Sequence, residues 1–337
     1  MKAALLLKTG KTEELKNNLL LRDRQEPEIN KNEVLIRLKY AGLNHRDLWI
    51  TKGLYSGISL PVVLGSDGAG VVLKAGEEVT KLKEGDDVFI NPTFNWGETD
   101  DFQDRDFSIL GLPEDGTFQE IISVHKDNVH KIPSSLNLKT ASAFPLAGVT
   151  AFRACFTKSD VSKGKKVLIT GAGGGVATMA VKFCLAKQAD VYVTSGNDDK
   201  IEKLVTLGIK CGFNYRNESW EKRLIDTSGN MDIIIDGSGG NDINKYLNIL
   251  NPGGKLIIYG ATSGLPKDLD LRKIFWKQLK ISGTTMGSPN DFSDMIKFIE
   301  KNKIEPVIDK VYSLEEIADA FLRMDSGEQM GKILVKL

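Results

Sequence analysis

Gly171-Ala172-Gly173-Gly174-Gly175-Val176-Ala177 follows an apolar run, Lys166–Thr170, and precedes an apolar stretch of helical character that reaches about Lys187. Glycines between a buried strand and a helix let the backbone approach a pyrophosphate closely. The helix start then offers free N–H groups and a partial positive charge. The positions that would line such a cradle are Ala172, Gly173, Gly174, Gly175 and Val176. The second strand of the unit ends at Val193-Thr194-Ser195-Gly196-Asn197. A site for NADH usually places an acid here, to accept from the ribose 2′-hydroxyl. Ser195 or Gly196 holds the position instead, and Lys200 follows within reach. Loss of the acid and gain of a cation favour a 2′-phosphate, and so NADPH over NADH. Asp198 and Asp199 weigh against this unless they serve the next helix as caps.

Thiol and imidazole chemistry is sparse. Cys155, Cys184 and Cys211 are isolated, odd in number and without a Cys-x-x-Cys spacing, which argues against a disulfide framework or a cysteine metal site. They read as small core residues. His125 and His130 stand five apart with no carboxylate or cysteine motif around them, and read as surface or sheet residues.

The elements that must position these groups fall into two kinds. Short candidate strands punctuated by glycines occupy the first part: Val34–Leu38, Gly68–Val72 and Asp87–Ile90. They suggest an all-β, barrel-like unit. From Lys166 onward strands alternate with helices: strand Asp190–Thr194, a helix ending at Gly208, strand Met231–Asp236, a helix over about Asn241–Leu250, then Pro252-Gly253-Gly254 turning into strand Lys255–Gly260. That alternation predicts a parallel, doubly wound sheet. In the tail, Phe292, Met295, Ile296 and Ile299 follow helical spacing. Ser313-Leu314-Glu315-Glu316 forms a capping box before the apolar face Ile317, Ala320, Phe321 and Met324. Lys332–Val335 reads as a last strand.

Composition is that of a globular α/β protein: 337 residues, 41% hydrophobic and 27% charged, room for about two domains. Lys plus Arg (45) balances Asp plus Glu (45), which removes any global field for nucleic acid or an anionic membrane. No apolar stretch approaches the roughly 20 residues of a spanning helix. The opening Met1–Lys8 is too short an apolar run for a signal peptide, so a first strand and a cytoplasmic location are expected.

Several segments together resemble the medium-chain dehydrogenase/reductase family, in its zinc-free quinone oxidoreductase-like branch. They are Ala41-Gly42-Leu43-Asn44-His45-Arg46-Asp47, Leu60–Gly70, the loop at 171–177, Asn251-Pro252-Gly253-Gly254 and Gly331-Lys332-Ile333. Their order and spacing span nearly the whole chain. The resemblance implies a GroES-like β-barrel catalytic domain from both chain ends (1–128 and 286–337) and an inserted Rossmann domain (129–285), with the active site in the cleft. It implies that Lys200 and Tyr215, with Ser195 as a third contact, grip a 2′-phosphate. It places Thr150 at the nicotinamide end, His45 near the pyrophosphate, Gly260 among the cofactor contacts and Lys332 as a weaker phosphate candidate. The strand near 281–286 falls where relatives pair sheets across a dimer axis, so a homodimer or homotetramer is expected.

Zinc-dependent relatives hold a catalytic metal through Cys, His and a second Cys or Asp. Read onto this chain, those positions are Asn44, Ser66 (followed by Asp67) and a residue near Leu146. An amide, a hydroxyl and an alkyl group make no zinc site. The four cysteines of the family's structural zinc lobe are also missing; Glu98, Thr99, Asp100, Asp101 and Asp104 stand there instead, and read as solvated surface. Without a metal, hydrogen-bond donors must polarise the acceptor. This suits a quinone or an α,β-unsaturated carbonyl, whose negative charge delocalises. Asn44 is the expected donor, and Tyr55 is expected over the substrate pocket. Two other readings stay open: a reductase of 2-alkenals or enoyl thioesters, and a catalytically silent NADPH-binding sensor.

Overall fold

The computed structural model describes residues 1–337, which divide into two compact units: Met1–Val149 with Ser288–Leu337, and Thr150–Gly287. The division differs from the expected 128/129 and 285/286 boundaries, most at the first. Segment 129–149 belongs with the first unit because strand Val129–Lys131 pairs antiparallel with Asp87–Ile90, and Leu146 N donates to Asp67 Oδ1 at 2.7 Å.

The first unit is the GroES-like one. Its centre is the long strand Glu33–Gly42, alternately buried along its length. It pairs antiparallel with Asp67–Ala75, Ile121–His125 and Lys332–Lys336. Register shifts at Leu35/Ile36 and Leu38/Tyr40 bend the first of these pairings, as bulges do in a closing sheet. Val34, Ile36, Leu38, Val72, Val88 and Val124 fill one core. A second core joins Leu6, Leu48, Phe118, Phe321 and Val335. The Ser313 capping box is present, and helix Ile317–Asp325 buries Ile317, Ala320, Phe321 and Met324.

The pairing pattern determines what meets at the end of the central strand. Gly42 lies opposite both Asp67 and Leu334, so three strand ends converge there. A Cβ at Gly42 would stand 3.0 Å from Asp67 Cβ and 2.8 Å from Ser142 O, so only glycine lets the strands close this tightly.

The second unit is the Rossmann one: six parallel strands in spatial order Cys211–Asn214, Asp190–Ser195, Lys166–Ile169, Met231–Asp236, Leu250–Ile258, Lys280–Gly283. Strand Met231–Asp236 has the expected bounds. The helix expected over Asn241–Leu250 is shorter, a 3-10 turn at Gly240–Asp242 followed by Ile243–Ile249. Strand Leu250–Ile258 begins earlier than expected and absorbs Pro252-Gly253-Gly254 at a register shift, with Gly253 at φ +73°. Cys155 and Cys184 are core residues with their sulfurs 3.7 Å apart, and burial pushes the Cys155 thiol up. No helix is long and apolar enough to cross a membrane.

Candidate active site and cofactor cradle

The sequence after strand Lys166–Ile169 builds an open loop on the second unit. Gly171 and Gly173 adopt φ of +58° and +142°, which side-chain-bearing residues rarely tolerate. Gly174 caps helix Gly175–Ala186 with no side-chain acceptor, leaving the first-turn N–H groups of a 12-residue helix available. Ala172 is buried and Gly175 and Val176 are half-buried at the helix start. A Cβ on Gly173 would lie 2.9 Å from Lys200 Cδ and 3.4 Å from its Nζ, so the loop and that lysine are in contact. Gly260 packs as closely: its Cβ would meet Gly237 O at 2.9 Å.

Strand pairing makes the second half of the cradle. Ser195 is the register partner of Asn214, so the residues after each strand end side by side. A Cβ on Gly196 would come 2.5 Å from Tyr215 Oη and 3.0 Å from Arg216 Nε. Tyr215 and Arg216 therefore stand at the strand end where a ribose 2′ substituent would sit, while Lys200 lies against Gly173 of the glycine loop. Arg216 is absent from the sequence reading. The signal was available: two parallel strands ending in register bring residues 215–216 beside 195–196. Ser195 itself is buried and its Oγ accepts from Asn197 N at 3.3 Å. Asn197, not Asp198 or Asp199, caps the next helix, accepting from Lys200 N. The two aspartates lie in its first turn, where they complement the helix dipole. Asp198 also accepts from Asn214 Nδ2 at 3.0 Å. Thr150 lies in helix Pro145–Phe152, 5% exposed.

On the first unit, Asn44, Asp67 and Lys332 meet at the three converging strand ends. Lys332 Nζ donates to Leu43 O (2.8 Å), Asn44 Oδ1 (2.6 Å) and Asp67 Oδ2 (2.8 Å), and is 2% exposed. Asn44 Nδ2 donates to Asp67 Oδ2 (3.0 Å) and Gly42 O (3.3 Å). Two expectations change. Lys332 is no phosphate contact in this arrangement, because all three of its N–H groups are used inside the fold. Asn44 is no substrate donor here, because both amide hydrogens are directed to protein oxygens. Its backbone N–H donates to Asp47 Oδ2 (2.8 Å), while Asp47 Oδ1 is buried without a partner. Burial pushes the Asp47 carboxyl up to about 6, against the lowering pull of Arg46.

Ser66 and Arg46 form a neighbouring group. Arg46 Nη1 donates to Ser66 Oγ (2.8 Å) and Leu110 O (2.9 Å), and Ser66 Oγ donates to Leu110 O (2.7 Å). The guanidinium carbon stands 5.2 Å from the Tyr55 ring centroid, a cation–π distance. His45 is exposed at the start of helix His45–Thr51.

The positions that would bind zinc do not fit a metal. Ser66 Oγ is held by Arg46, and Asn44 and Asp67 already coordinate an ammonium. No group of three or more His, Cys, Asp or Glu side chains is placed to hold a metal ion. In the lobe at 91–111, Thr93–Phe94 pairs with Ser108–Ile109, Trp96 packs edge-on against Phe107 at 5.5 Å, and Trp96 Nε1 donates to Thr99 O. A hydrophobic clasp thus closes the loop. His130 packs at 5.0 Å from the Phe292 ring, and burial lowers it to about 4; His125 is exposed beside Asp127.

Comparison with known proteins agrees with this architecture. Residues 30–134 match the alcohol dehydrogenase GroES-like domain and residues 175–301 the zinc-binding dehydrogenase model. The zinc-type alcohol dehydrogenase-like protein YogA of Leptosphaeria maculans is 35% identical over 332 residues, covering 93% of this chain and 92% of that one. Quinone oxidoreductase-like protein 2 of Bos taurus is 27% identical over 339 residues, covering 96% and 90%. A crystal structure described as an NAD-dependent alcohol dehydrogenase superposes with a TM-score of 0.94 at 32% identity, covering all of both chains. With both domain models matched in order and relatives above 30% identity along nearly the whole chain, the chain belongs to the medium-chain dehydrogenase/reductase family of oxidoreductases.

Proposed function

We propose that the protein is a metal-independent reductase that takes hydride from NADPH and delivers it to a quinone or an α,β-unsaturated carbonyl. The observation that carries this reading is the donor set at the family's metal position. Lys332 fills the charge role between Asn44 and Asp67, so the acceptor must be one that needs no Lewis acid. NADPH is supported by Tyr215 and Arg216 against Gly196 and by Lys200 against Gly173 of the glycine loop. When bound, the reduced nicotinamide supplies the hydride; the chain's own residues bind and orient. The helix start at Gly175 receives the pyrophosphate, Lys200, Tyr215 and Arg216 the 2′-phosphate, and the Tyr55 ring gives the acceptor a flat apolar wall.

The test is NADPH oxidation by chelator-treated protein with an ortho-quinone, a para-quinone, a 2-alkenal and a saturated aldehyde. Turnover with a quinone or alkenal, and none with the aldehyde, is expected. Loss of all turnover on chelation, restored by zinc, would overturn the reading.

We further propose a homodimer through the free edge of strand Lys280–Gly283. Ile281 in that strand is exposed, as are Leu271, Phe275 and Trp276 in helix Leu271–Trp276 just before it in sequence, Trp276 at 82%. An unpaired strand beside exposed apolar side chains is suited to a second copy of itself. Trp276→Glu should convert a dimer to a monomer in light scattering; a parent protein that is already monomeric would sink the proposal.

A further inference from the structure

The structure assigns Arg46 as the group that receives negative charge on the acceptor's carbonyl oxygen, an assignment that rests on the reductase reading above. The Nη1 atom is tied to Ser66 Oγ and Leu110 O, which fixes the plane of the guanidinium. The Nη2 atom makes one long contact, 3.5 Å to Ile109 O, and is the less buried end. Nε, although buried, has no partner at all. A side chain 9% exposed, with donors this poorly used, departs from the rule that buried polar groups are satisfied. The fork is anchored at one nitrogen and unspent at another.

Its surroundings suit an oxyanion. Ser66, to which it is anchored, stands at a position the family gives to a metal ligand. Tyr55 lies against the guanidinium, and its hydroxyl has no hydrogen bond in the structure, so ring and cation together offer a flat, partly desolvated slot. Asp67 is paired with Lys332, and Asp47 is the buried acid whose carboxyl feels the Arg46 charge. A planar cation beside an aromatic face recognises a conjugated carbonyl.

The step balances simply. As hydride forms a C–H bond at the β-carbon of an enone, the nicotinamide ring C–H bond breaks and the oxidised pyridinium results. The displaced π pair moves onto oxygen, facing Arg46 Nη2. Water then delivers one proton to the enolate. Charge that develops on oxygen only in the transition state is where a fixed donor contributes most.

The test uses 4-nitrophenol, a non-reducible mimic of the phenolate product, with the whole protein and no NADPH. Wild-type protein should bind it as the yellow phenolate at a pH where free 4-nitrophenol is largely neutral. Arg46→Met should lose that band, and Arg46→Lys should keep part of it. In turnover, Arg46→Met should lower kcat about 10²–10³-fold, with NADPH affinity unchanged and partial rescue by guanidinium chloride. A phenolate band identical in wild type and Arg46→Met overturns the assignment, as does undiminished kcat in that variant. Phenolate binding lost in Arg46→Met, in a protein that reduces no acceptor, supports the oxyanion site and sinks the reductase reading instead.

Discussion

Replacing Lys332 with methionine is expected to lower the thermal midpoint of unfolding by on the order of 10 °C. The methionine keeps the length of the side chain and removes only the ammonium. Asp67 is fully buried and would lose its counter-charge, and Asn44 Oδ1 and Leu43 O would lose their donor. Breaking one half of a buried pair typically costs about 3–5 kcal/mol, because the charge left behind is unsolvated. Asp67 cannot simply be neutralised in compensation. Its Oδ1 also accepts from Leu146 N, and its backbone carbonyl from Thr117 Oγ1. Lys332→Met with Asp67→Leu should therefore recover only part of the loss, leaving the Leu146 amide without an acceptor. Circular-dichroism melts of the parent, single and double variants make the measurement. A single variant melting within about 2 °C of the parent would show that the ammonium carries little of the fold.

This network shows where the sequence stopped being readable. Local pattern was enough for the strand–glycine loop–helix at 166–186 and for the capping box at 313–316, since each is encoded within a few residues of itself. Lys332 lies 265 residues from Asp67, and nothing in either neighbourhood signals that they touch. By sequence Lys332 therefore points toward a phosphate, and Asp67 is only the residue that follows Ser66. Arg46 was quoted within a motif but given no role, because its burial depends on Leu110 O, 64 residues away. The domain boundary shifted for a similar reason: Val129–Lys131 is a short strand whose allegiance is decided by its partner Asp87–Ile90. That Lys332 stands between Asn44 and Asp67 was not legible either, because a buried ion pair is a property of the fold and not of either residue.

Gly196→Asp should reverse the choice of cofactor. The variant carries its own carboxylate to the end of strand Asp190–Ser195, where an acid would accept from a ribose 2′-hydroxyl and repel a 2′-phosphate. It also acts sterically. A Cβ at 196 would meet Tyr215 Oη at 2.5 Å and Arg216 Nε at 3.0 Å, so both side chains must swing away. Both are exposed, so the movement is cheap for the fold. The new carboxylate then has Arg216 within reach as an internal partner, which takes that guanidinium from the phosphate as well. NADPH affinity is expected to fall roughly 100-fold, the equivalent of losing one or two charge-assisted hydrogen bonds. NADH affinity should hold or improve. Lys200→Ala separates the two causes: it removes a cation without adding an acid, and should weaken NADPH alone by about tenfold. Fluorescence titration of both cofactors against the three proteins gives the answer. If Gly196→Asp weakens NADPH and NADH equally, the loop at 196 does not read the 2′ position, and Lys200, Tyr215 and Arg216 have to be reassigned to another part of the dinucleotide.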